Sequence, residues 1–169
     1  MHPLLILLTM MVGLVIQSTV LQVQPFSFIA PNLIVVLLLY VSMMRGSITA
    51  LYTGLLIGLI QDILFGSYLG LYAYTYATVG YFAGMTFRSY LSRQLVMVIL
   101  IMLGYSFLAE LSAYGLSRLF GYAHVDLMAA VTHTLRIMIW NGIFALLLYV
   151  PSVKLLATER SRNLAEESL

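Results

Sequence analysis

The sequence predicts an all-α integral membrane protein, a bundle of six transmembrane helices with both termini in the cytoplasm. Three observations carry that prediction. No Asp, Glu, Lys or Arg occurs between Met1 and Met44, and about 20 consecutive apolar residues suffice to cross a bilayer as a helix. Over all 169 residues, 62% are hydrophobic and 8% charged, against roughly 25% charged in a soluble domain. The apolar runs are continuous rather than alternating, and in lipid only helices and closed barrels satisfy every backbone group.

The segments follow in order. The first runs from about Leu4 to Val23 and ends before Pro25; lacking a basic n-region and a small-residue cleavage site, it reads as a retained helix rather than a signal peptide. The second, about Phe28 to Met44, is short and stops at Arg45-Gly46. The third covers about Ile48 to Phe65 and breaks at Gly66-Ser67. The fourth spans about Leu69 to Phe87, the fifth Gln94 to Leu116, and the sixth Leu127 to Val150, ahead of Pro151. Residues 1–157 form one six-helix transmembrane domain, and 158–169 a short cytoplasmic tail. The mixed charges and leucines from Ser152 onward extend the last helix into solvent, either as a plain helical stub or as a docking peptide.

Charge sets the orientation. With six spans, Arg45, Arg88, Arg93, Lys154, Arg160 and Arg162 fall on one side and Arg118 on the other. Cytoplasmic loops carry the Lys/Arg excess. A formal charge of +2 without a basic cluster gives no reason to expect nucleic acid as a partner, and the absence of cysteine excludes disulfides and thiolate chemistry.

Small residues supply the packing pattern, since helices in lipid associate through close backbone approach rather than hydrophobic drive. Gly46, Ala50, Gly54, Gly58, Asp62 and Gly66 recur every four residues in the third span, and Ala73, Ala77, Gly80 and Gly84 stripe the fourth. Gly54-x-x-x-Gly58 and Gly80-x-x-x-Gly84 lie on helices joined by a tight turn, so they pack on one another or dock another membrane protein. With the glycines engaged internally, a partner helix would use the larger residues of the first, second or sixth spans. Twelve tyrosines are present. Tyr68, Tyr72 and Tyr76 share a face, explained by interfacial belts and bundle packing or by a ligand-stacking box.

Asp62, Glu110 and Arg136 sit within the spans, with His133 one turn before Arg136 and Asn141 further along the sixth span. A charge at the bilayer centre costs roughly 3 kcal/mol and turns inward toward a partner. At about 1.5 Å per residue, all three charges fall in the outer half of the bundle. They are expected to form one buried polar network. Three roles are open to it: a structural ion and hydrogen-bond set, a small polar pocket open to the outside, or a proton relay. No nucleophile–base pair or metal-ligand spacing is present, and His2, His124 and His133 are far apart in sequence, so no catalytic residue, metal or cofactor is expected.

Pro31-Asn32-Leu33, Tyr40, Arg45-Gly46, then Gly54-x-x-x-Gly58-x-x-x-Asp62 and Gly66-Ser67-Tyr68-Leu69-Gly70 form a familiar pattern. Gln61-Asp62 followed by a Gly-rich exit and Leu69-Gly70 is its most specific part. Over about residues 31 to 84 the chain resembles the rod-shape-determining protein MreD family, with a weaker similarity in Asn141 before Pro151. The resemblance implies a non-enzymatic, multi-pass component of the bacterial cytoplasmic (inner) membrane. Such a protein would bind MreC and act around MreB, RodA and its partner transpeptidase in cell elongation and lateral peptidoglycan synthesis. It also implies a fold similar to the six-helix S components of energy-coupling-factor vitamin transporters, so a small-molecule-binding S component stands as the alternative. Against that alternative, the first span has no alanine ladder of small-x-x-x-small type.

Overall fold

The computed structural model describes residues 3–19, 31–66, 68–89, 95–121 and 127–167. They form six helices: α1 Pro3–Thr19, α2 Leu33–Arg45, α3 Ser47–Phe65, α4 Leu71–Ser89, α5 Leu95–Leu119 and α6 Leu127–Glu167. Among the described residues three stretches are long and apolar enough to cross a membrane, Ser47–Phe65, Val96–Leu119 and Leu127–Tyr149, and Leu5–Thr19 and Leu33–Arg45 are shorter apolar helices. The segments expected at 20–23 and 28–30 lie outside the described residues, as do His2, Pro25, Ser67, Arg93, His124 and the end of the tail.

The shortest helix is the centre of the bundle. At 13 residues, α2 is only about 20 Å long, and it touches each of the other five helices. A helix that is hydrophobic on all sides must be buried on all sides. Accordingly Leu33, Ile34, Val35, Val36, Leu38, Leu39, Tyr40 and Ser42 are all buried. This corrects one expectation: α2 is enclosed and offers no outward face on which a partner helix could dock.

Around α2 the remaining helices pair. α3 and α4 share the most extensive interface, α5 and α6 pair with each other, and α1 packs only on α2 and α3. On α3 the buried positions Ala50, Thr53, Gly54, Ile57, Gly58, Gln61 and Asp62 alternate by three and one, the stripe of one helix face. Ile48, Tyr52, Leu55, Leu56, Ile63 and Leu64 are exposed, as expected of a face turned to lipid. On α4, Thr75, Thr78 and Thr86 donate to the carbonyls of Leu71, Tyr74 and Phe82, one turn back. Those hydroxyls therefore need no partner from the bilayer.

The glycines lie where the two backbones meet. A Cβ at Gly54 would stand 2.6 Å from the Tyr76 carbonyl oxygen, and one at Gly58 2.5 Å from the Ala73 Cα. From the other side, a Cβ at Gly80 would meet the Ala50 carbonyl oxygen at 2.9 Å, and one at Gly84 the Ser47 Cα at 2.5 Å. Nothing larger than hydrogen fits at these four positions without forcing the helices apart.

α6 continues through Pro151 to Glu167, so the tail extends the last helix, as expected. Proline removes one helical hydrogen bond, which helices of this kind tolerate when neighbouring groups re-satisfy the freed carbonyl.

Candidate polar core and cavity

Helix ends are the electrostatic problem of a bundle in lipid, because the first amides of each helix lack intrahelical acceptors and no water is at hand. α2 starts inside the protein, and three side chains and one carbonyl answer for its first turn. Asn32 is the N-cap: its Oδ1 accepts the Val35 amide at 3.3 Å, the position an N-cap side chain serves. Gln17 of α1 accepts the Ile34 amide at 3.2 Å. The Leu33 amide reaches the Pro31 carbonyl at 3.1 Å. The amide of Asn32 itself donates to Asn141 Oδ1 of α6 at 2.7 Å.

Asn32 is also the hub of a side-chain network. Its Nδ2 donates to Glu110 Oε1 of α5 at 2.7 Å. The Tyr76 hydroxyl of α4 lies 3.3 Å from Asn32 Oδ1 and 3.1 Å from Gln61 Oε1 of α3, and its single proton can serve one of them at a time. Asn141 Nδ2 donates to Ser106 Oγ, and the Tyr40 hydroxyl reaches the Ala145 carbonyl of α6. All six helices thus contribute a polar group to one connected core. No buried side-chain nitrogen or oxygen among the described residues lacks a partner.

Asp62 belongs to a different arrangement. It lies in the last turn of α3, 2% exposed, where the negative end of that helix's dipole disfavours a carboxylate. The neighbouring helix start offsets this. Asp62 Oδ2 accepts the amides of Gly70 at 2.9 Å and Ala73 at 3.1 Å, and Oδ1 accepts Tyr72 at 3.0 Å. One carboxylate therefore caps three amides at the start of α4, where a negative charge meets the positive end of the dipole. Gly70 makes this possible. Its φ of +98° turns the chain so that its own N–H faces back toward α3, a conformation side chains rarely adopt. The amide of Gly66 in turn closes α3 on the carbonyls of Gln61 and Asp62 at 3.1 and 3.0 Å.

Beside this cap lies a cavity of about 630 Å3 between α3–α4 and α5–α6, whose walls include Asp62, Tyr72, Glu110, His133 and Arg136. The four charged or titratable residues expected to meet do reach one cavity, but not as an ion-paired cluster. Among the described residues Arg136 makes no ion pair with Asp62 or Glu110. Asp62 is engaged with the α4 backbone and Glu110 with Asn32, while His133 and Arg136 are exposed on α6. Asn141 sits away from the cavity, in the hub around Asn32. Of the tyrosines, Tyr68, Tyr72 and Tyr114 line the cavity. Tyr76 is buried behind them, its ring 5.5 Å from that of Tyr72 and tilted by 40°. A second cavity of about 710 Å3 adjoins the first through Tyr68 and Leu71. Among the described residues no group of three His, Asp or Glu side chains is placed to hold a metal ion.

Of the residues quoted in the sequence pattern, Pro31 and Leu69 flank the helix starts rather than joining either site. Pro31 is fully buried and Leu69 is exposed. Sequence spacing alone does not join the hub residues Gln17, Asn32, Tyr76 and Ser106 into one site. Their signal was weak but real: Pro31-Asn32 ahead of an apolar run is a capping signature, and neutral amides inside apolar spans need partners as charges do.

No curated protein and no solved structure matches the chain. The family model described as rod shape-determining protein MreD matches residues 1–158, which includes both the hub around Asn32 and the Asp62 cap. The chain therefore belongs to the MreD family and is a membrane protein with a role in rod-shape determination.

Proposed function

We propose that the protein is a non-enzymatic scaffold of the bacterial cell-elongation machinery in the cytoplasmic membrane. In this reading it spans the membrane six times with both termini inside, binds MreC, and acts with MreB, RodA and its partner transpeptidase in lateral peptidoglycan synthesis. The observation that carries the reading is the family match over residues 1–158. The polar core supports it, since Asn32, Gln61, Glu110 and Asn141 tie helices together and leave a rigid body. The topology rests on the segregation of Arg45, Arg88, Arg93 and the tail cations from Arg118.

For the MreC helix the available surfaces narrow. α2 is enclosed, and the glycine faces of α3 and α4 lie against each other. Of the first, second and sixth spans expected to carry it, α1 and α6 remain, with exposed Leu8, Val12 and Val15 on the first and Leu135, Ile139 and Leu147 on the second. The test is co-expression with MreC, purification in mild detergent and identification of what co-purifies. MreC in fixed ratio supports the scaffold, whereas a stoichiometric vitamin or an ATPase module would establish the transporter alternative. Cysteine labels after Arg45 and Phe87 should be protected from an impermeant reagent outside the cell and labels at Gly66 and Gly121 should react. The reverse pattern would end the six-span orientation.

A further inference from the structure

Arg136 is a cation on α6 that no described residue compensates. It lies nine residues after Leu127, the first residue of α6, hence about 14 Å along the helix. It carries five N–H donors. Among the described residues none accepts from it, and a guanidinium at such depth needs an acceptor. His133 precedes it by three positions, so the two share a face, and both line the cavity. Glu110 stands beside them on the neighbouring helix α5 and lines the same cavity. One of its oxygens accepts from Asn32 at 2.7 Å; the other has no hydrogen-bond partner among the described residues and is not fully buried. Asp62 makes no ion pair with Arg136; its oxygens accept three α4 amides instead.

The cavity therefore presents donors from α6, a carboxylate from the adjacent α5, and apolar surface from Phe65, Leu71 and Ala113. Its volume of about 630 Å3 is within the usual span for small-ligand sites, roughly 300–1,000 Å3. Arg136 and His133 suit a phosphate, for which a guanidinium fork is well shaped. Glu110 suits an ammonium a few atoms away. In a membrane the abundant molecule with that pairing is a phospholipid with an ethanolamine headgroup, whose acyl chains would leave past Phe65 and Leu71.

We propose that this cavity binds an amine–phosphate zwitterion supplied by the headgroup of a phosphatidylethanolamine lipid. The phosphate lies on Arg136 and His133, and the ammonium on Glu110. The site is independent of which protein partner the scaffold holds.

Native mass spectrometry of the full chain in mild detergent tests this, with phosphatidylethanolamine, phosphatidylglycerol or acyl-free glycerophosphoethanolamine added. One retained phosphatidylethanolamine per chain is expected, preferred over phosphatidylglycerol by about tenfold, the worth of one charge-assisted hydrogen bond. Glu110→Gln keeps an oxygen for Asn32 and so the fold. It should remove the preference while phosphatidylglycerol is still retained. Arg136→Gln should lose both lipids and Arg136→Lys keep them, with each variant's melting temperature recorded to separate misfolding from lost binding. Displacement of lipid by glycerophosphoethanolamine would keep the zwitterion chemistry and move its source to a water-soluble molecule. Equal retention of the two lipids by the unaltered chain would overturn the proposal, as would retention unaffected by Arg136→Gln. So would a lipid-free protein whose MreC is lost on Arg136→Gln, which would assign the guanidinium to a partner's carboxylate.

Discussion

The seam between α3 and α4 and the helix α5 use the same residue, glycine, to opposite ends. In the seam, Gly54, Gly58, Gly80 and Gly84 bring two backbones together so closely that a Cβ would stand 2.5–2.9 Å from main-chain atoms. On α5, by contrast, Gly104 and Gly115 have nothing within 4 Å of where a Cβ would be. The cleft between the two helix pairs stays open, and its lining mixes Asp62, Glu110, His133 and Arg136 with Phe65, Leu71 and Ala113. Glycine in a membrane helix thus specifies close packing only when another backbone is brought to face it. Asp62 stands at the boundary: its carboxylate closes the seam by capping α4, and its residue forms part of the cavity wall.

The largest effect is expected where the seam is tightest. Gly58→Leu puts a branched side chain where the Ala73 Cα is 2.5 Å from the new Cβ, and backbone cannot swing aside as a side chain can. Overpacking costs about 1–3 kcal/mol and more where backbones must part. Little folded protein should then be recovered from membranes, with MreC lost in proportion. Normal protein levels with MreC absent would instead make the glycine face the docking surface.

Next in size is the cap. Asp62→Ala leaves the amides of Gly70, Tyr72 and Ala73 without their acceptor, at about 1–3 kcal/mol for each group that finds no substitute. Asp62→Asn keeps one acceptor oxygen and should lose less, so thermal melting in detergent should rank the native chain above Asn and Asn above Ala. Equal melting of all three would mean that water already serves the start of α4.

Much of this architecture is legible in the sequence, and the exceptions have a common cause. Continuous apolar runs locate α3, α4 and α5 to within a few residues, because length and hydropathy are local properties. The four-residue glycine ladder likewise marks the face that meets α4. One helix limit is less legible: α2 begins at Leu33 because Pro31 and the cap of Asn32 stop it there. Least legible is which polar group partners which. The spacing makes Asp62, Glu110 and Arg136 look like one charge-compensated trio, yet the acceptor of the Asn32 amide lies 109 residues away and the partners of Asp62 are backbone amides, which every sequence has. Charges attract notice in an apolar chain; the neutral amides Gln17, Asn32 and Asn141 do more of the joining.

That contrast can be sharpened by double-mutant cycles. Asn32 and Glu110 share a 2.7 Å hydrogen bond, so Asn32→Ala and Glu110→Leu should be non-additive by about 1 kcal/mol. Asp62→Asn and Arg136→Gln, which share no hydrogen bond or ion pair, should add within about 0.5 kcal/mol. A coupling larger than this between Asp62 and Arg136 would restore the trio as a single unit.

The smallest effect returns to the opening comparison, at Gly104. No atom lies within 4 Å of a Cβ placed there, and the residue sits inside a 25-residue helix. Alanine favours a helix interior over glycine by up to about 1 kcal/mol, partly because it restricts the unfolded chain. In lipid, where the unfolded reference is itself helical, much of that gain is already present. Gly104→Ala should therefore raise the melting temperature slightly or leave it unchanged, whereas Gly54→Ala should lower it, since its Cβ meets the Tyr76 carbonyl oxygen at 2.6 Å. The two substitutions add the same methyl group, so helix propensity cancels between them and the difference isolates the facing backbone. A loss of stability at Gly104 equal to that at Gly54 would show that the α5 face is covered in the membrane, by lipid or by a partner helix packed as closely as α4 is on α3.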